Sequence, residues 1–121
     1  MSQENKGDCN MLEKRVKNLE AVLQAFIKEL QKTIRVEKVY VYGSYAQQKE
    51  HDYSDIDVAV ISPDFEGGTE RDYLILGHAA IKVCSLIEAK PYRPQDLMNL
   101  SPTEFLGMIV KTGKVIFDKA A

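Results

Sequence analysis

The sequence predicts an α/β (α+β) fold whose elements run helix, strand, strand, helix, strand, helix, strand. Three observations predict it. Leu12, Val16, Leu19, Leu23, Phe26, Leu30 and Ile34 recur at gaps of three and four residues, which is a helical stripe that also fits a heptad seam. After Arg35 the period becomes strand-like, with apolar runs at Val39–Tyr42 and Ile56–Ile61. Helical patterning then returns around Leu74–Val83 and again after Ser101. A chain of 121 residues is enough for one domain with one core.

Residues 1–10 are polar and read as a flexible N-terminus, leaving residues 11–121 as the single domain. Val22 and Ile27 widen the first helical stripe, so it packs on the body of the domain and offers a candidate homodimer or partner surface. The first strand spans about 37–42. A polar segment at 46–53 follows, starting as a short helix after Gly43-Ser44. The second strand, about 55–62, stops at Ser62-Pro63, because proline does not continue a central strand. Glu66-Gly67-Gly68 reads as a mobile loop, and Thr69 caps a helix over about 70–82. Cys84–Ala89 forms a third strand ended by Lys90-Pro91, and Pro91-Tyr92-Arg93-Pro94 reverses the chain. Ser101-Pro102 opens another helix, with serine as cap and proline in the first turn. Gly113 ends it, and Val115-Ile116-Phe117 adds a short last strand.

Composition narrows the function classes. A net charge of −2 gives no basic footprint for extended nucleic-acid binding. No apolar run approaches the ~20 residues of a membrane span. Met1–Gly7 lacks the apolar core of a signal peptide. Cys9 and Cys84 cannot build a disulfide framework, and no Cys/His spacing suggests zinc. The expected setting is a reduced cytoplasm.

The chemistry concentrates in two places. Gly43-Ser44 sits at the end of the first strand, where backbone N–H groups and a hydroxyl approach phosphate oxygens closely. Asp55 and Asp57 sit at the start of the second, and alternation puts both carboxylates on one side. An apolar strand that begins with two carboxylates needs a cation or donors nearby, since burying an unpaired charge is costly. A hard divalent cation shared with phosphates is the expected occupant. The pair points to metal-dependent phosphoryl or nucleotidyl transfer. Against it stands the plainer reading of each residue alone, a Gly-Ser turn and an aspartate capping a strand.

Gly43-Ser44-Tyr45-Ala46 with Ser54-Asp55-Ile56-Asp57-Val58 resembles the signature of the DNA polymerase beta-like nucleotidyltransferase superfamily, nearest its minimal members. The resemblance implies a mixed β-sheet flanked by helices, the polymerase beta palm-like fold, here with an extra N-terminal helix. It implies a nucleoside triphosphate, expected to be ATP, bound at Gly43 and Ser44. It also implies two Mg²⁺ ions held by Asp55, Asp57 and a third carboxylate on a later strand. Glu88 is the candidate for that place, ahead of Asp72 and Asp96. Family members often carry Arg-Gly where this chain has Gln47-Gln48, so a fixed cation is missing. Lys49, Lys90 or Arg93 are the replacements, with Lys49 and Arg93 assigned to the nucleotide. His51, His78 and Tyr45 are weaker candidates.

The implied reaction moves a nucleoside monophosphate onto a hydroxyl acceptor and releases pyrophosphate. The resemblance also implies an alternative from a different class, because minimal members often pair with a small helical HEPN-type partner in toxin–antitoxin modules. The chain would then act as an antitoxin by binding that partner, with weak catalysis or none.

Overall fold

The structure, a computed structural model, describes residues 15–43, 55–98, 100, 101 and 103–120. In chain order the elements are α1 (Arg15–Gln31), β1 (Lys38–Tyr42), β2 (Ile56–Ile61), α2 (Glu70–Val83), β3 (Ile87–Tyr92), α3 (Phe105–Thr112) and β4 (Lys114–Asp118), with a 3₁₀ turn at Pro94–Leu97. The polar N-terminus, the first turn expected for α1 and the expected short helix after Gly43 lie outside the described residues.

The strands form one mixed sheet in the order β3-β2-β1-β4. β1 runs antiparallel to both β2 and β4, whereas β3 runs parallel to β2 after the α2 crossover. β1 and β2 are central and nearly every residue in them is buried. Their continuous apolar runs follow from that, because a strand covered on both faces needs no polar alternation.

α1 and α2 cover one face. Val22, Leu23, Phe26, Ile27 and Leu30 of α1 pack there with Val39, Val41, Ile56, Val58, Val60, Leu76 and Ala80. Each such aliphatic or aromatic side chain contributes about 1.5–3 kcal/mol by leaving water. The other face holds a smaller cluster in which Leu106 and Ile109 of α3 meet Tyr40, Tyr42, Ala59 and Ile61. The candidate site lies on that side, at the end of the sheet where Tyr42 pairs with Asp57.

Three expectations are corrected. β3 begins later than expected and continues through Pro91 to Tyr92. Proline is admitted because β3 is an edge strand, where a missing N–H interrupts no ladder on the outer side. Tyr92 accepts from the N–H of Ser62 at 2.9 Å, so Pro91-Tyr92 extends the sheet and the chain turns only at Pro94–Leu97. α3 starts at Phe105, after Glu104, instead of at Ser101, because the Ser101 carbonyl and hydroxyl are spent on a turn with Glu104 and Thr103. The Gly67-Gly68 loop is tied down. Asp72, fully buried, accepts from the N–H groups of Glu66, Gly68 and Thr69 at 2.9, 2.7 and 3.3 Å.

Thr69 caps α2 as expected, and its hydroxyl and the Asp72 carboxylate form a capping box. Gly113 ends α3 with an ordinary negative φ, so its role is space: a Cβ there would lie 2.7 Å from the Ile109 carbonyl oxygen and 2.9 Å from that of Val41.

Candidate active site

The site is assembled by register. Tyr42 at the end of β1 pairs with Asp57, and Asp57 pairs in turn with Glu88 near the start of β3. Directly opposed residues on neighbouring strands point the same way, with Cβ atoms about 5 Å apart. Since Ile56 and Val58 face α1 and α2, alternation turns Asp57 to the side of α3. Asp55 precedes the strand on the same side and is exposed, as is Glu88, while Asp57 is half-buried.

The electrostatics follow from this arrangement. Burial pushes the Asp57 carboxyl above its ordinary pKa, Glu88 and then Asp55 push it further, and Lys90 pulls it back. The Tyr42 phenol is likewise raised, first by burial and then by Asp57. Asp57 therefore sits among like charges that oppose its ionisation.

Gly43 links the two halves of the motif. Its φ is +75°, where a side chain is strained, and a Cβ added there would collide with Oδ2 of Asp57 and lie 3.3 Å from its Cγ. Glycine is thus required both by the turn and by the carboxylate packed against it.

Carboxylates in excess over ammonium groups fit a divalent cation by sign and by oxygen-donor chemistry. Among the described residues, however, no three His, Cys, Asp or Glu side chains close into a ready-made metal cage. The donor set suits an ion completed by phosphate oxygens and water, the usual manner of Mg²⁺, better than one enclosed by protein alone.

The other candidates separate. Ser44, Tyr45, Lys49 and His51 lie outside the described residues. Arg93 follows β3 at its far end, five residues beyond Glu88 and roughly 16 Å along the strand. Its backbone N–H donates to Asp96 at 2.8 Å, its Nη2 donates to the same carboxylate at 3.3 Å, and its guanidinium lies close over Gly67. A separate cavity of about 480 Å³ there is lined by Tyr73, Tyr92, Arg93 and Asp96 among others. Asp72 is occupied with the loop, and His78 lies on α2 beside the C-terminal end of α1. Arg93, Asp72 and Asp96 are thus held apart from the carboxylate row.

Sequence reasoning missed Phe105, whose half-exposed ring meets Tyr42 edge-to-face at 5.7 Å between centroids. Lys90 places its Nζ 5.9 Å from the same ring's centroid. Phe105 carried no signal, since an apolar residue at the start of a helix reads as core.

The family described as Polymerase beta, Nucleotidyltransferase matches residues 24–121. Among curated proteins, none matches this sequence. Several solved structures are similar, three of them as follows. A toxin–antitoxin with AMP-PNP is 24% identical, with a TM-score of 0.57 over 83% of this chain and 73% of that one. A putative nucleotidyltransferase from Sulfolobus solfataricus is 11% identical, with a TM-score of 0.57 over 99% of this chain and 92% of that one. A mutant of the MntA-HpeT toxin–antitoxin is 21% identical, with a TM-score of 0.52 over 79% and 72% of the two chains.

Proposed function

The chain belongs to the polymerase beta nucleotidyltransferase family, and from that premise we propose that it transfers a nucleoside monophosphate from ATP to a hydroxyl acceptor with Mg²⁺. The observation that carries the reading is the register that sets Asp57 beside Glu88, with Asp55 close enough to add its charge at Asp57. Asp55 and Asp57 would hold Mg²⁺, with Glu88 as the third carboxylate and room for a second ion. Bound there, the metal supplies charge neutralisation for the triphosphate and a lowered pKa for the acceptor hydroxyl.

The protein's own part is placement. The Gly43 turn brings backbone close to Asp57, so phosphates gathered at the turn lie beside the carboxylates. The acceptor hydroxyl gives up its proton to solvent, its oxygen attacks the α-phosphorus in line, the bond to the β-phosphate breaks, and pyrophosphate leaves. No side chain bonds covalently to the substrate, and positioning with charge neutralisation supplies most of the rate.

A second reading is supported by the toxin–antitoxin neighbours, one of them a mutant in which two aspartates two positions apart are replaced by glutamate, the spacing of Asp55 and Asp57. In it the chain works as an antitoxin that binds a small helical HEPN-type partner protein in the cytoplasm, with weak catalysis or none. Among the described residues no helix is long and apolar enough to cross a membrane.

Incubation with α-labelled and γ-labelled ATP, Mg²⁺ and cell lysate tests the transfer. Label passing to an acceptor from the α position alone is expected. Transfer from the γ position alone would mean a kinase-like reaction and would overturn the proposal.

A further inference from the structure

Asp55, Asp57 and Glu88 gather negative charge at one end of the sheet, while Arg93 is committed elsewhere, to Asp96. Among the described residues, Lys90 brings a cation to the carboxylate end on the same face. Lys90 lies two residues beyond Glu88 on β3, hence on the same face, directly across from the buried Ala59.

The placement of the Lys90 ammonium is unusual. It is close enough to Asp57 to act on that carboxyl, yet among the described residues it forms no ion pair and lies over the Phe105 ring. Arg35, Arg71 and Arg93, by contrast, each have a carboxylate partner within 4.0 Å. Phe105 is itself fixed by Tyr42, the cross-strand partner of Asp57. Ring, ammonium and carboxylate therefore close into one group. A cation parked on an aromatic face keeps its N–H donors available to an incoming anion.

We propose that Lys90, steadied by Phe105, binds the phosphate chain of the nucleoside triphosphate. This rests on the nucleotidyltransferase reading above. A lysine suits the task, because a compact ammonium on a flexible stem can follow a phosphate chain without the planar match an arginine needs. An alternative role is electrostatic only, with Lys90 offsetting the carboxylates and touching no ligand. The two roles differ in what they do to metal and to nucleotides of different length.

Calorimetry on the full chain with ATP, ADP and AMP, each with Ca²⁺ to prevent turnover, and with Mn²⁺ alone, separates them. Lys90→Gln is expected to weaken ATP binding about tenfold or more, the loss of one charge-assisted contact. The effect should shrink through ADP to AMP, and Lys90→Arg should retain most of the affinity. Mn²⁺ alone should bind Lys90→Gln at least as tightly as wild type, since a repelling charge is gone. Phe105→Leu, a change at a half-exposed ring, should show a smaller loss confined to the longer phosphate chains. Unchanged ATP affinity in Lys90→Gln, or equal losses for ATP and AMP, would overturn the role of Lys90 and leave the nucleotidyltransferase reading standing. A wild-type chain that binds no nucleotide would overturn both.

Discussion

Asp57 and Asp72 show two ways of handling a carboxylate in one small domain. Burial would push Asp72 up, but the N–H groups of Glu66, Gly68 and Thr69 and the Arg71 guanidinium hold it below the ordinary range. Asp57 is pushed up by burial and then pushed further by Glu88 and Asp55, with Lys90 the opposing cation. The first is satisfied within the protein and organises a loop. The second is left wanting positive charge, at an end of the sheet where Gly43 closes in on it. A carboxylate with a full set of donors serves the fold, and the proposed function assigns the one surrounded by like charges to a ligand.

The largest expected contrast comes from removing each charge. Asp57→Asn should cut metal-dependent transfer by about 100-fold or more, as loss of a charge-stabilising group in an active site does. In chelator the same variant should melt at a higher temperature than wild type, because the repulsion is gone. Asp72→Ala should do the reverse, with loss of stability of about 2–4 kcal/mol from three stranded N–H donors. Thermal melts with chelator and transfer assays on both variants check the pair. Equal destabilisation by the two changes would erase the distinction.

Gly43→Ala sharpens it further. A left-handed alanine costs about 1–2 kcal/mol, and its Cβ would push the Asp57 carboxylate aside. Transfer should therefore fall by more than the stability loss alone explains, as activity measured well below the melting range would show.

The pH dependence has opposite signs at the two ends. Hydrogen bonds from the Arg35 side chain and backbone hold Asp64 down at about 2, and Asp72 is also lowered. Their stabilisation is present above the ordinary carboxylate pKa near ~4 and is lost as pH falls through their folded values. Asp57 is raised, so its penalty is absent at low pH and grows as pH rises through its folded value. Denaturant unfolding of wild type and Asp57→Asn between about pH 2 and pH 7 should show the acid limb in both and the Asp57 window only in wild type.

The smallest effect belongs to Arg93. Arg93→Ala should leave Mg-ATP affinity within about twofold of wild type, because sites well separated act independently. Titration of the variant checks this, and a tenfold loss would move Arg93 into the site.

The paired motif and most elements were legible in the sequence because they depend on local period and punctuation. Val39–Tyr42 and Ile56–Ile61 announced central strands, Thr69 announced the start of α2, and Gly113 the end of α3. Pairing is what periodicity does not contain. That Glu88 lies opposite Asp57, while Arg93 lies just past the other end of β3, follows from where β3 starts. The Lys90-Pro91 pair hid that start, since proline in a strand is read as a stop until the strand is known to be an edge. Phe105 was illegible for the same reason, because its meaning depends on the Tyr42 ring it meets from another element.

The central claim is that Asp57 stands ready for a cation shared with a nucleotide. Calorimetric titration of Mg-ATP into wild type and Asp57→Asn tests it most directly. Metal-dependent binding to wild type that disappears in a folded Asp57→Asn is the predicted result. Equal Mg-ATP binding by both proteins, or none by wild type, would contradict it.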